Sequence, residues 1–132
     1  MSQKLKPTDA ELEILQVLWE DGPTSVRFVN DKLNENRQQE GREEIGYTTT
    51  LKLLQIMAEK GLVTRDTRTR THIYAAAAKE EDTQRQLLDK FVDSAFRGSA
   101  MKLVMQALGN HKASAEELDE IKALIEKMEK EK

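Results

Sequence analysis

No cysteine occurs in the 132 residues, so neither a disulfide framework nor a thiolate metal site is available. Aromatic residues make up only 5 %, which leaves an aliphatic and modest core. No apolar run approaches the roughly 20 residues that a membrane-crossing helix needs. The opening "MSQKLKPTDAELEIL" has no apolar stretch of the secretory kind. Also missing are a Ser/His/Asp set, a phosphate-cradling glycine loop and a carboxylate cluster on an apolar wall. His72 and His111 each stand alone, without a second ligand at metal spacing, and read as structural or surface residues. The expectation is a cytoplasmic protein that is not an enzyme, with no cofactor, no metal and no membrane contact.

What the chain does have is charge and helical periodicity. Charged residues reach 34 %, with a net charge of −3 that does not advertise a nucleic-acid partner. Their distribution says more. Between Lys60 and His72, four cations (Lys60, Arg65, Arg68, Arg70) face one anion, Asp66. That segment is locally +3, which leaves −6 for the rest, so any surface for a polyanion is local.

Thr8 and Glu11 form a capping-box pattern just after Pro7, followed by Leu12, Leu15, Leu18 and Trp19 on one helical face and a stop at Gly22. Thr24 is the expected cap of a second helix carrying Val26, Val29 and Leu33. Asn34 to Gly46 is polar and without periodicity, as in a fraying helix end and a loop. A third helix is expected from about Thr48 to Gly61, with Thr50, Leu53, Leu54 and Met57 toward the core. Thr48, Thr49, Lys52, Gln55 and Ile56 then fall on the opposite side, and Leu51 reads equally well as core or surface. Beyond it, "LVTRD" and "HIYAA" flank "TRTRT", two short strand-like runs around a polar turn.

Three helices followed by a basic hairpin is the order of a winged helix-turn-helix domain. There the third helix enters the major groove and the hairpin follows the backbone. The order also gives the threonine run that opens the third helix a purpose. One hydroxyl caps, Thr50 packs through its methyl, and Thr48 and Thr49 meet phosphate or base edges. The expected DNA-binding residues are Tyr47, Thr48, Thr49, Thr50, Lys52, Gln55 and Ile56 of the third helix. Thr24 and Ser25 at the start of the second helix join them, with Arg65, Arg68 and Arg70 of the hairpin. In isolation the threonines read as a cap with neutral neighbours and the arginines as a solvated turn; their succession favours the DNA reading.

Residues 79–132 differ in character. Leu87, Leu88, Phe91, Val92 and Phe96 line one amphipathic helix. Ser99 caps a second with Leu103, Val104 and Leu108, and Ser114 with Glu117 opens a third with Leu118, Ile121, Leu124 and Ile125. Three short helices bury too little to be stable alone, and a second copy would supply the missing core through these apolar residues. The expected fold is mainly α: a winged helix-turn-helix DNA-binding domain (1–78) followed by a helical dimerisation domain (79–132).

Four segments, "PTDAELEILQVLWEDGP", "TSVRFVNDKL", "YTTTLKLLQIMAEKGLVTRD" and the tyrosine of "RTRTHIYAA", resemble the penicillinase-repressor (BlaI/MecI) family over essentially the whole chain. The resemblance implies a dimeric winged-helix repressor on a palindromic operator of double-stranded DNA. It leaves open a sensor or protease as the agent that relieves repression. Copper-responsive members carry paired cysteines near the C-terminus, and none is present here. Where antibiotic-responsive members have a scissile Asn-Phe bond, this chain reads Gln106-Ala107, so cleavage there is not expected. Family members often have more basic third helices, whereas this one has Leu51 and Ile56, which leaves the operator sequence open. The alternative reading is a winged-helix module for protein–protein contact, without sequence-specific DNA binding.

Overall fold

The structure, a computed structural model, describes residues 6–131. Its chain contacts separate two units, with the division between Leu87 and Leu88. The first unit opens with α1 (Asp9–Asp21), capped by the expected box: the Thr8 hydroxyl accepts from the Glu11 amide, and the Thr8 amide donates to the Glu11 carboxylate. Gly22 ends it. A two-residue strand, β1 (Thr24–Ser25), precedes α2 (Val26–Gln39). One expectation is corrected here. Ser25, rather than Thr24, caps α2, its hydroxyl accepting from the Phe28 amide at 3.2 Å, because the helix begins at Val26 and the residue just ahead of it is the one within reach of that amide. The second helix continues into the polar stretch as far as Gln39, as the expected helix end, and the loop follows it.

That loop is fixed by side chains that the helix carries into it. Asn34 brackets Ile45, accepting from its amide at 2.7 Å and donating to its carbonyl at 3.0 Å. Arg37 donates to the Glu43 carbonyl and pairs with Glu13 at 2.8 Å, which ties the loop to α1 as well. These bonds satisfy backbone groups that an irregular segment leaves exposed. Next comes α3 (Tyr47–Lys60), then β2 (Val63–Asp66) and β3 (Ile73–Ala76). At the end of α3, Gly61 sits at φ +83°, the left-handed conformation that glycine adopts without a Cβ penalty, and turns the chain into β2.

The sheet order is β1-β3-β2, antiparallel throughout, with Thr24 opposite Tyr74 and Val63 opposite Ala76. The expected hairpin is therefore present, and β1 adds a third strand that two residues of sequence could not announce. The core joins Ile14, Leu15 and Leu18 to Val29, Leu33, Leu54, Met57 and Tyr74, all buried. Leu53, expected toward the core, and Trp19 are partly buried and pack against it, and Leu12 is partly buried. Trp19 donates its indole N–H to the Ala78 carbonyl at 2.8 Å.

The expected domain boundary at 78/79 lies ahead of that contact division because α4 (Glu80–Ala95) begins against the first unit. Thr83 on its first turn is buried, and with Gln86 it lines a small cavity of about 100 Å³ shared with Pro7, Leu62 and Ala78. The second unit holds the rest of α4, then α5 (Ala100–Asn110) and α6 (Ala115–Lys130). Ser99 caps α5 and the Ser114–Glu117 box caps α6, both as expected. Phe91 and Phe96 meet edge to face with centroids 5.6 Å apart. Among the described residues no helix is long and apolar enough to cross a membrane, and no group of three acidic or histidine residues is placed to hold a metal.

Candidate nucleic-acid interface

The start of α3 differs from the sequence expectation in one respect. Gly46 occupies the cap position and no side chain caps the helix, so none of the three threonine hydroxyls serves there. Each has another place. Thr50 is fully buried, and its hydroxyl accepts from the Asn30 side-chain amide at 2.9 Å; the same amide donates to the Ile45 carbonyl at 3.0 Å. A fully buried residue cannot touch a duplex, so Thr50 leaves the expected DNA-binding set. Its bond to Asn30 instead fixes how α3 is set against α2 and the loop between them. Thr48 and Thr49 are exposed, as are Lys52 and Gln55, and together they give α3 a polar outer face. Ile56 is half-buried, and Leu51 packs against the core.

The cations between Lys60 and His72 divide in a way that counting charges could not reveal. Lys60 donates to both carboxylate oxygens of buried Glu11 at 2.9 Å, so its charge is spent inside the unit. Arg68 is exposed yet folded onto Asp66 through both guanidinium and backbone hydrogen bonds, the shortest 2.7 Å. That contact holds the Asp66 carboxyl below its ordinary range. Among the described residues Arg65 and Arg70 have no such partner, and both are exposed.

Three elements converge on a groove of about 350 Å³ lined by Ser25, Val26, Arg27, Tyr47, Leu51, Arg70, Thr71, His72 and Tyr74. Of the residues expected to bind DNA, Ser25, Tyr47 and Arg70 meet here. The Ser25 hydroxyl is already used as the α2 cap, and Thr24 is held in the sheet. Thr48, Thr49, Lys52, Gln55 and Arg65 are exposed outside the groove walls. Sequence reasoning missed Arg27, an exposed cation on the first turn of α2, whose guanidinium lies 5.0 Å from the centre of the Tyr47 ring. The available signal was a lone arginine one residue after the cap pattern "TSV".

The family profile described as "Penicillinase repressor" matches residues 7–127. The chain belongs to this family. It is accordingly a DNA-binding transcriptional repressor by family, and not an enzyme. The solution structure of the DNA-binding domain of the repressor BlaI matches 62 % of this chain and 93 % of its own length. The match has 22 % identity and a TM-score of 0.50, and it supports the winged-helix fold of the first unit. The comparison with curated proteins gives no match.

Proposed function

We propose that the chain is a homodimeric repressor that occupies a palindromic operator, with α3 in the major groove and the hairpin along the backbone. The observation that carries this reading is the outer face of α3. Thr48, Thr49, Lys52 and Gln55 project from a helix whose other side is locked into the core, and the hairpin supplies the uncommitted Arg65 and Arg70. Short polar side chains suit base edges, and a threonine methyl suits the thymine methyl. The arginines suit phosphates, which position a protein without specifying sequence.

The dimer is supported by apolar residues that stay uncovered among the described residues of one chain. Leu88, Phe91, Val104, Leu108, Leu118, Leu124 and Ile125 are all exposed, Phe91 at 52 %. Leu87, Val92, Leu103 and Ile121 are half-buried on the same helices, and Phe96 is half-buried just past the end of α4. Large exposed apolar side chains on three successive helices are the mark of an association surface.

The test is genomic selection of bound fragments, followed by binding isotherms on a selected duplex and a random one at two salt concentrations. Salt-steep binding with a sequence-selective component that survives polyanion competitor supports the repressor reading. Equal affinity for both duplexes, with capture of a protein partner instead, would favour a protein–protein module. Footprints should show two half-sites about 10 base pairs apart, or a multiple of that.

A further inference from the structure

Several cations of the first unit are neutralised by carboxylates. Lys60 pairs with Glu11, Arg37 and Arg42 with Glu13, Lys32 with Glu35, and Arg68 with Asp66. Arg27 is restrained differently. Its guanidinium lies over the Tyr47 ring at 5.0 Å, and among the described residues no carboxylate pairs with it. The distinction is physical. A carboxylate holds an arginine by cancelling its charge, whereas an aromatic face attracts the cation and leaves its charge available to a third group.

The surroundings of this pair favour an anion. Arg27 and Tyr47 line the groove together with Arg70, and none of the nine lining residues is acidic. The first turns of α2 and α3 both meet there through Arg27 and Tyr47, and neither first turn contains an acidic residue. By contrast α1, α4 and α6 all begin with acids. Gly46 also leaves the first amides of α3 without a side-chain acceptor, so that helix end keeps its donors.

We propose that this groove seats one phosphate of the DNA backbone per subunit. Arg27 is the binding residue, and Tyr47 is a positioning residue that acts through Arg27 instead of reading a base. The inference rests on the DNA-binding reading above. It adds Arg27 to the binding residues at the start of α2 and gives Tyr47 a role distinct from that of Thr49 or Gln55.

The experiment uses the full chain and fluorescence anisotropy on selected and random duplexes across a salt series. Arg27→Ala should weaken both duplexes about equally and reduce the salt slope by about 0.9 per subunit. Arg27→Lys keeps the charge and should keep most of the slope. Tyr47→Ala should weaken both duplexes about two- to fivefold per half-site, and Tyr47→Phe, which retains the ring face, should not. Because Tyr47 acts through Arg27, the double variant should bind no more weakly than Arg27→Ala alone. Both residues are exposed, so thermal melting of each variant should stay close to that of the parent. An unchanged salt slope in Arg27→Ala, or additive losses in the double variant, overturns the proposal. So does competition by inorganic phosphate beyond its effect as a salt, which would assign the groove to a small phosphorylated ligand. A parent protein that binds both duplexes equally would defeat the operator reading and leave this proposal to be judged on the slopes.

Discussion

Lys60 at the end of α3 donates to both carboxylate oxygens of Glu11 at the start of α1, each at 2.9 Å, across 49 residues of sequence. Glu11 is 2 % exposed. One carboxylate therefore closes a capping box and anchors α3 to the first helix. Burial pushes the Glu11 carboxyl up, but the hydrogen bonds from Lys60 and Thr8 and the Lys60 charge outweigh it. The group is held below its ordinary value of 4.5.

The sign of the pH dependence follows. A depressed carboxyl contributes stability that is complete above its ordinary value and is lost as pH falls below about 4.5. Lys60→Met should destabilise the first unit at neutral pH, because it strands a buried charge. Lys60 is itself partly exposed, so the cost should fall at or below the lower end of the roughly 3–5 kcal/mol seen for fully buried pairs. The gap between variant and parent should narrow on acidification. Denaturant titrations from neutral pH to well below 4.5 measure it, and a gap that widens instead would refute the assignment.

Thr50→Val should test a packing role against a DNA role. Removing the hydroxyl leaves the Asn30 amide short of an acceptor in a buried site, at a cost of about 1–3 kcal/mol. Operator selectivity of the folded variant should be unchanged. A loss of selectivity at full stability would return Thr50 to the contact surface.

Thr49→Ala and Gln55→Ala should do the opposite. Each should cost on the order of 1–3 kcal/mol per half-site on operator DNA and little on random DNA, with stability nearly unaffected. If the ratio of operator to random affinity stays the same in both, α3 is not the reader.

In the hairpin, Arg65→Ala and Arg70→Ala should each lower the salt slope, whereas Arg68→Ala should lower it less because Asp66 already compensates that charge. Asp66→Asn frees Arg68 and should strengthen binding to random DNA. Slopes from isotherms decide the order, and a largest effect from Arg68→Ala would contradict it.

For the second unit, Phe91→Asp places a charge on an exposed apolar face of α4 and should dissociate the dimer. Sedimentation at micromolar concentration should find a dimer for the parent and a monomer for the variant. A monomeric parent would end the dimer proposal. Peptide mapping of the induced protein should find no fragment ending at Gln106.

The sequence by itself determined whatever depends on near neighbours. Both capping boxes, the Gly22 and Gly61 stops, the hairpin and the amphipathic helices follow from spacings of three, four or two residues, and backbone geometry converts these directly into structure. The family resemblance was legible on the same segments. Tertiary structure alone decided which members of those patterns remain free to act. Thr50 is taken by Asn30 and Lys60 by Glu11, while Arg27, unremarkable in the sequence, is brought against Tyr47 and Arg70 in one groove. Hydrogen bonds and ion pairs are satisfied in space without regard to distance along the chain. A count of threonines or arginines therefore gives the supply of binding groups, and only the fold shows which have already been spent.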